Sequence, residues 1–214
     1  MNKVLKFLTR LRKSESYFVI VIFRYIWIKI FNGKSLLLHQ NVIIRGMKNI
    51  NTKDILEVGI GYVGFSHKRD TTYINIQGKL NLKGKYSIGR GCRLDIGESA
   101  IVSIGSGGYI NCNTTLIIMH KLEIGDNCVI SWNCQFLDED FHEIQYSEKK
   151  KSENSIVIGN NVWIGCGVKI YKGSVIPDGC IVASDTIIKG VFEIENSLIA
   201  GSPAKVIKEK VKWN

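Results

Sequence analysis

Four histidines and six cysteines carry most of the reactive side chains of this 214-residue chain, and their surroundings separate them. His142 stands in the run Asp138-Glu139-Asp140-Phe141-His142-Glu143, an imidazole among carboxylates. Imidazole titrates near neutrality, so a histidine so placed can take a proton from a poor nucleophile such as a hydroxyl and pass it to a leaving group. The plainer reading is a solvated loop histidine. His39 and His67 lie in a less regular stretch, and His120 lies inside a coil with no acidic neighbour. The cysteines form no C-x-x-C pair; Cys92, Cys128, Cys134 and Cys180 each follow an aliphatic residue by four positions, and Cys112 and Cys166 follow one by two. That regular placement suits small buried side chains and free thiols in a reducing compartment rather than disulfides or metal ligands.

The element that must position His142 is a repeat of six. Ile158, Ile164, Ile170, Ile176, Val182 and Ile188 are six apart, a period that neither a helix nor a flat strand has. Three six-residue edges make one coil of a triangular β-solenoid, and stacked coils bury a continuous apolar column. The spacing recurs upstream at Ile88 and Leu94, at Ile104, Ile110 and Leu116, and at Ile124, Ile130 and Phe136, with slips of two residues that read as longer coils. Glycine follows Ile88, Ile104, Ile124, Ile158 and Ile164, where a corner needs positive φ or close backbone approach. One polar excursion, residues 137–155, interrupts this pattern and contains His142; such an interruption of a regular repeat is usually either functional or merely disordered.

The chain's 45% hydrophobic content supports one principal core. We read residues 1–40 as a basic amphipathic helical segment, 41–190 as the solenoid with an irregular start before residue 88, and 191–214 as a closing segment. The formal net charge is +10, yet residues 1–34 hold eight Lys and Arg against Glu15 alone. The remainder carries little net charge and no basic stripe with interleaved aromatics, which argues against nucleic acid. On a helix, Lys3, Lys6, Arg10, Lys13 and Arg24 share about a quarter of the circumference, beside an apolar remainder. The run Tyr17–Phe31 is interrupted by Arg24 and Lys29 and is too short to span a bilayer, and no signal-peptide cleavage site follows it. It suits either an in-plane helix on an anionic leaflet or a cap over the open end of the solenoid, and one segment can serve as both.

From residue 88 to about 210 the sequence resembles the left-handed hexapeptide-repeat acyltransferases, specifically sugar O-acetyltransferases of the galactoside, maltose, capsule and O-antigen type. The resemblance rests on Ile158-Gly159-Asn160-Asn161-Val162-Trp163-Ile164-Gly165, the hexapeptides to Ile188, the close Ala200-Gly201-Ser202-Pro203-Ala204-Lys205-Val206-Ile207, and Asp140-Phe141-His142. It implies a left-handed parallel β-helix, a homotrimer with sites between prisms, and direct transfer from acetyl-CoA without a metal. His142 becomes the general base, with Asp140 or Glu143 to orient it. Asn111 and Asn113 fall where the family binds its acceptor. Trp163 and Gly165 lie along the pantetheine arm, Ala183 and Ser184 pair with its amides, and Lys189 and Lys205 face the CoA phosphates. The chain departs from the pattern at Val182-Ala183-Ser184-Asp185-Thr186-Ile187-Ile188-Lys189, and Ile118 and Met119 stand where the family has an acidic acceptor contact.

The function so implied is acetyl transfer to a sugar hydroxyl of a surface polysaccharide or of its nucleotide- or lipid-linked precursor, in a cytoplasmic protein held at the periphery of the inner leaflet. Alternatives on the same scaffold are N-acetylation of an amino sugar, a zinc enzyme like the γ-class carbonic anhydrases, which needs three converging imidazoles, and a non-catalytic spacer.

Overall fold

The structure is a computed structural model that describes residues 8–9, 11–13, 15–61, 64–142 and 153–213. Lys3, Lys6 and Arg10 of the basic segment, and Glu143 with most of the excursion, lie outside the described residues.

Three sheets form the faces of a prism, parallel except for a closing hairpin, and up to Ile187–Ile188 the neighbour of each strand within a face is the third along the chain. The first face starts at Leu36–Leu38, the second at Val42–Arg45 and the third at Ile50–Thr52. Register turns the six-residue period into columns. Leu38, Val58, Ile88, Ile110, Ile130, Ile164, Val182 and Ile199 stack along the first face. Ile74, Leu94, Leu116, Phe136, Ile170 and Ile188 stack along the second, and Ile104, Ile124, Ile158 and Ile176 along the third. All of these residues are buried, so one apolar column runs the length of the prism.

The corners obey a local rule. Three residues after an inward aliphatic, the backbone enters the left-handed region, at Gly91, Asn113, Asn127, Asn133, Asn161, Gly167, Gly179 and Asp185, all types that tolerate it. The glycines directly after the aliphatics serve close approach instead: a Cβ on Gly125 would sit 2.5 Å from the carbonyl oxygen of Gly159 in the next coil. One residue beyond the left-handed position points inward again and is small, as at Cys92, Cys128, Cys134 and Cys180. All six thiols are free. Burial pushes Cys92 and Cys134 up to about 12 and Cys128 up to about 11, so these cysteines stay protonated packing residues.

The solenoid begins earlier than the sequence boundary at residue 41. The helix α1, Phe18–Asn32, stops at Gly33 in the left-handed region, and Leu36–Leu38 already pairs with Leu56–Val58. The first-face repeat there is lengthened, which hides it from a search at period six. Two coils carry excess chain: residues 59–71 at the corner between the first and second faces, and the His142 excursion at the corner between the second and third. At the far end Leu198–Gly201 pairs with Ile181–Val182 and folds back antiparallel on Ala204–Lys208, a hairpin that blocks the last edge.

A further correction concerns Arg24. The sequence places it on a basic face, but its guanidinium turns inward and donates to the carbonyls of His39, Gln40 and Val42 at 2.9, 3.3 and 3.0 Å. Those carbonyls belong to the first corner and lack a preceding coil to pair with, so a cation satisfies them. Ile28 joins the core of the end coil beside Leu36, Leu38, Val42 and Ile50. The helix therefore covers the open end of the prism.

Candidate active site

The site is built where the chain leaves the regular coil. Within the prism, backbone N–H groups of one coil donate to carbonyls of the next, as Gly97 does to Ile118 and Ile101 to His120. The corner Met119–Lys121 would donate to the following coil, but that coil departs after the strand Gln135–Leu137. Asp138 takes its place: the buried carboxylate accepts the N–H groups of Met119, His120 and Lys121 at 2.6, 2.8 and 2.9 Å. Charge-assisted bonds to three donors fix the direction in which the excursion starts.

Glu139 follows and turns the other way. Its Oε2 lies 2.7 Å from His120 Nε2, and its Oε1 accepts the Asp140 N–H at 2.7 Å. The hydrogen bond from His120, with the Asp140 N–H second, holds the Glu139 carboxyl below its ordinary value. Asn154, on the returning chain, places its Nδ2 3.0 Å from the same His120 nitrogen. Asp140 is engaged by Lys172 of the next coil, Nζ to Oδ2 at 2.8 Å. Phe141 is exposed with φ 61°, a conformation that bulky residues seldom adopt. His142 comes next, exposed, and its ring makes no hydrogen bond to any described residue.

These groups enclose an open cavity of about 700 Å³ between the corner residues Gly97–Ser99 and Met119–His120 on one side and Glu139–His142 with Lys172 on the other. Two imidazoles line it. The expectation that His120 lacks an acidic neighbour is corrected by the coil stacking that brings Glu139 against it. The sequence also passed over Asn154 and Lys172; the only signal for either was its place at a loop end or corner.

The other expected residues are spread over several parts of the prism. Asn111 and Asn113 lie at the corner between the first and second faces; Asn111 Oδ1 accepts the Cys112 N–H at 2.8 Å, and Asn113 is the exposed left-handed residue, φ 59°. Gly165, Ala183 and Ser184 lie further along that same edge, where a Cβ on Gly165 would come 2.6 Å from the Ser184 nitrogen. Trp163 is on the first face, donating to Ser131 Oγ at 3.3 Å, with its ring centroid 6.2 Å from that of Trp213. Lys189 sits on the His142 edge, in the coil after Lys172, and Lys205 sits on the exposed closing hairpin. Asn113 and Met119 are joined by the extended strand Thr115–Ile118, which separates the two edges by roughly 20 Å at about 3.3 Å per residue. One protomer thus holds the imidazoles on one edge and the Asn113–Ser184 row on another. Among the described residues, no three His, Cys, Asp or Glu side chains stand together in a way that could hold a metal ion.

No family model matches the sequence. The chain is 38% identical over 218 residues to an uncharacterized 24.8 kDa protein in the cps region of Klebsiella pneumoniae, covering 99% of this chain and 98% of that one. It is 26% identical over 168 residues to a putative lipopolysaccharide biosynthesis O-acetyl transferase of Escherichia coli (strain K12), covering 73% and 85% of the two chains. Among solved structures, a polySia specific acetyltransferase superposes with a TM-score of 0.51 at 20% identity, over 84% of this chain and 75% of that one, a likeness of fold. With stacked coils of six-residue edges, a left-handed β-helix fold and a relative matched from end to end, the chain belongs to the hexapeptide-repeat acyltransferases.

Proposed function

We propose that the protein is an O-acetyltransferase that moves the acetyl group of acetyl-CoA to a sugar hydroxyl of a surface polysaccharide or of its precursor. The observation that carries this reading is the cavity where His142 and the His120–Glu139 pair face the same open space. Names borne by relatives, among them the lipopolysaccharide O-acetyl transferase of Escherichia coli, support the acceptor class.

In this reading His142 takes the proton of the acceptor hydroxyl as its oxygen attacks the thioester carbonyl. The tetrahedral intermediate collapses with cleavage of the carbon–sulfur bond, and the imidazolium returns the proton to the CoA thiolate. The products are an acetyl ester and free CoA. Asp140 and Lys172 brace the loop next to His142, while Glu139 holds His120 against the cavity wall. Because the Asn113–Ser184 row lies on another edge, we assign the complete site to a cleft between two copies in a homotrimer. Asn111 and Asn113 then face the acceptor, and Trp163, Gly165, Ala183, Ser184, Lys189 and Lys205 the CoA. An acceptor carried on a lipid would meet the enzyme at the bilayer that its N-terminal helix suits.

Calorimetric titration with acetyl-CoA, followed by thiol release in the presence of capsule or O-antigen oligosaccharides, tests the reading. Saturable binding weakened by Lys189→Ala, and thiol release that depends on acceptor, are expected. Hydroxylamine lability of the product separates an ester from an amide. A folded protein that binds no acetyl-CoA would overturn the proposal.

A further inference from the structure

The outward side of α1 is the largest feature the chemistry leaves unused. At 100° per residue, Val19, Ile20, Phe23, Ile26, Trp27, Ile30 and Phe31 fall within an arc of about 140° that contains no polar residue. Each of the seven is exposed, from 44% at Ile20 to 76% at Val19. By ordinary side-chain areas this amounts to roughly 800 Å², beyond the largest apolar patch of a typical monomer. Phe23, Trp27 and Phe31 form a ladder along it, with successive ring centroids 6.2 and 4.2 Å apart. Since the helix packs on the first coil through Val21 and Ile28, on the side away from this arc, with Arg24 at the arc's edge, this face is turned away from the prism.

Charge decides what covers it. Residues 1–50 hold ten Lys and Arg against Glu15 alone, so nearly the whole net charge of +10 sits at this end of the chain. Lys34, Lys53 and Lys83 line a groove that runs past the C-terminal end of α1. A second copy placed face to face would oppose two such cationic ends, whereas an anionic bilayer neutralises them while burying the aromatic face.

We infer that α1 seats the protein on an anionic lipid surface, with the prism axis along the membrane normal. The site then stands clear of the bilayer. Four coil steps separate the end coil from Phe136, at the root of the His142 excursion; at about 4.8 Å per step plus about 10 Å of helix, the cavity lies on the order of 30 Å from the surface. Resting on the function proposed above, this selects a lipid-anchored glycan of several sugars over a single lipid-linked sugar.

The test is co-sedimentation of the full chain with vesicles of phosphatidylcholine alone and with phosphatidylglycerol added, in the absence of donor and acceptor, so that a failed transferase assay leaves it untouched. Binding to the anionic vesicles at least tenfold stronger than to the neutral ones, weakened at least tenfold by the double substitution Trp27→Glu, Ile30→Glu, is the expected result. Both side chains are exposed, and circular dichroism checks that the variant keeps its fold. Absence of binding to either vesicle would overturn the inference, as would equal binding by the folded variant. A wild-type assembly that the double variant dissociates, without any lipid binding, would assign the face to a second copy and overturn it as well.

Discussion

His120 Nε2 lies 2.7 Å from Glu139 Oε2, although nineteen residues separate them along the chain. The distance along the chain is about one coil, so stacking sets a corner residue of one coil beside a half-buried residue at the root of the next excursion. The pair has a measurable electrostatic signature. Its hydrogen bond is the largest cause of the lowered Glu139 carboxyl, so His120→Ala should let that carboxyl rise toward its ordinary value, read by carbon-13 titration of the side chain. A folded-state value below the unfolded one adds stability above the ordinary carboxylate range that is lost as pH falls through the folded value. An unchanged Glu139 titration in the variant would show that the pair does not form in solution.

The roles of the two imidazoles separate kinetically. His142→Ala should lower kcat by roughly 10² to 10⁴ with acetyl-CoA affinity nearly unchanged, and His120→Ala by about tenfold. The reverse order in steady-state assays would move the base to His120.

Asp138 is the residue on which the loop root depends. In Asp138→Ala the N–H groups of Met119, His120 and Lys121 lose their buried acceptor, at a cost of roughly 2–4 kcal/mol. Asp138→Asn keeps one acceptor oxygen and should cost less. Urea denaturation compares the two; equal stability of all three proteins would mean that solvent satisfies those donors.

His39 is buried beneath the α1 cap, and burial, then Arg90 and Arg24, lower it to about 4. The unfolded chain binds this proton near the ordinary value of about 6.5, so the unfolded state holds more protons between the two values and stability falls as pH drops through that window. The loss approaches roughly 2–3 kcal/mol by pH 4, and a His39→Gln variant should show a flatter profile in the same denaturation series. A parallel profile would place the acid sensitivity elsewhere.

Much of the architecture was legible because it is local. Ile158, Ile164, Ile170, Ile176, Val182 and Ile188 report three faces visited in rotation, and an Asn, Gly or Asp three residues after most of them reports the corner, since backbone geometry repeats wherever the same short steric problem recurs. His142 was legible for a similar reason: it lies within the polar excursion that breaks the repeat. In the irregular start the solenoid was legible but its coil boundaries were not, because the excess chain of residues 59–71 moves the period out of phase.

The sequence by itself therefore determined the coil, its inward residues and the point where chain is extruded, all of which follow from side-chain volume and φ within six residues. Only the tertiary structure decided what those coils bring together. Stacking set Glu139 against His120 and Lys172 against Asp140, turned Arg24 inward onto carbonyls that no preceding coil could satisfy, and left the apolar side of α1 facing outward. Each of these depends on how many residues a coil contains and on which backbone groups remain unpaired at its ends, quantities that no local window contains.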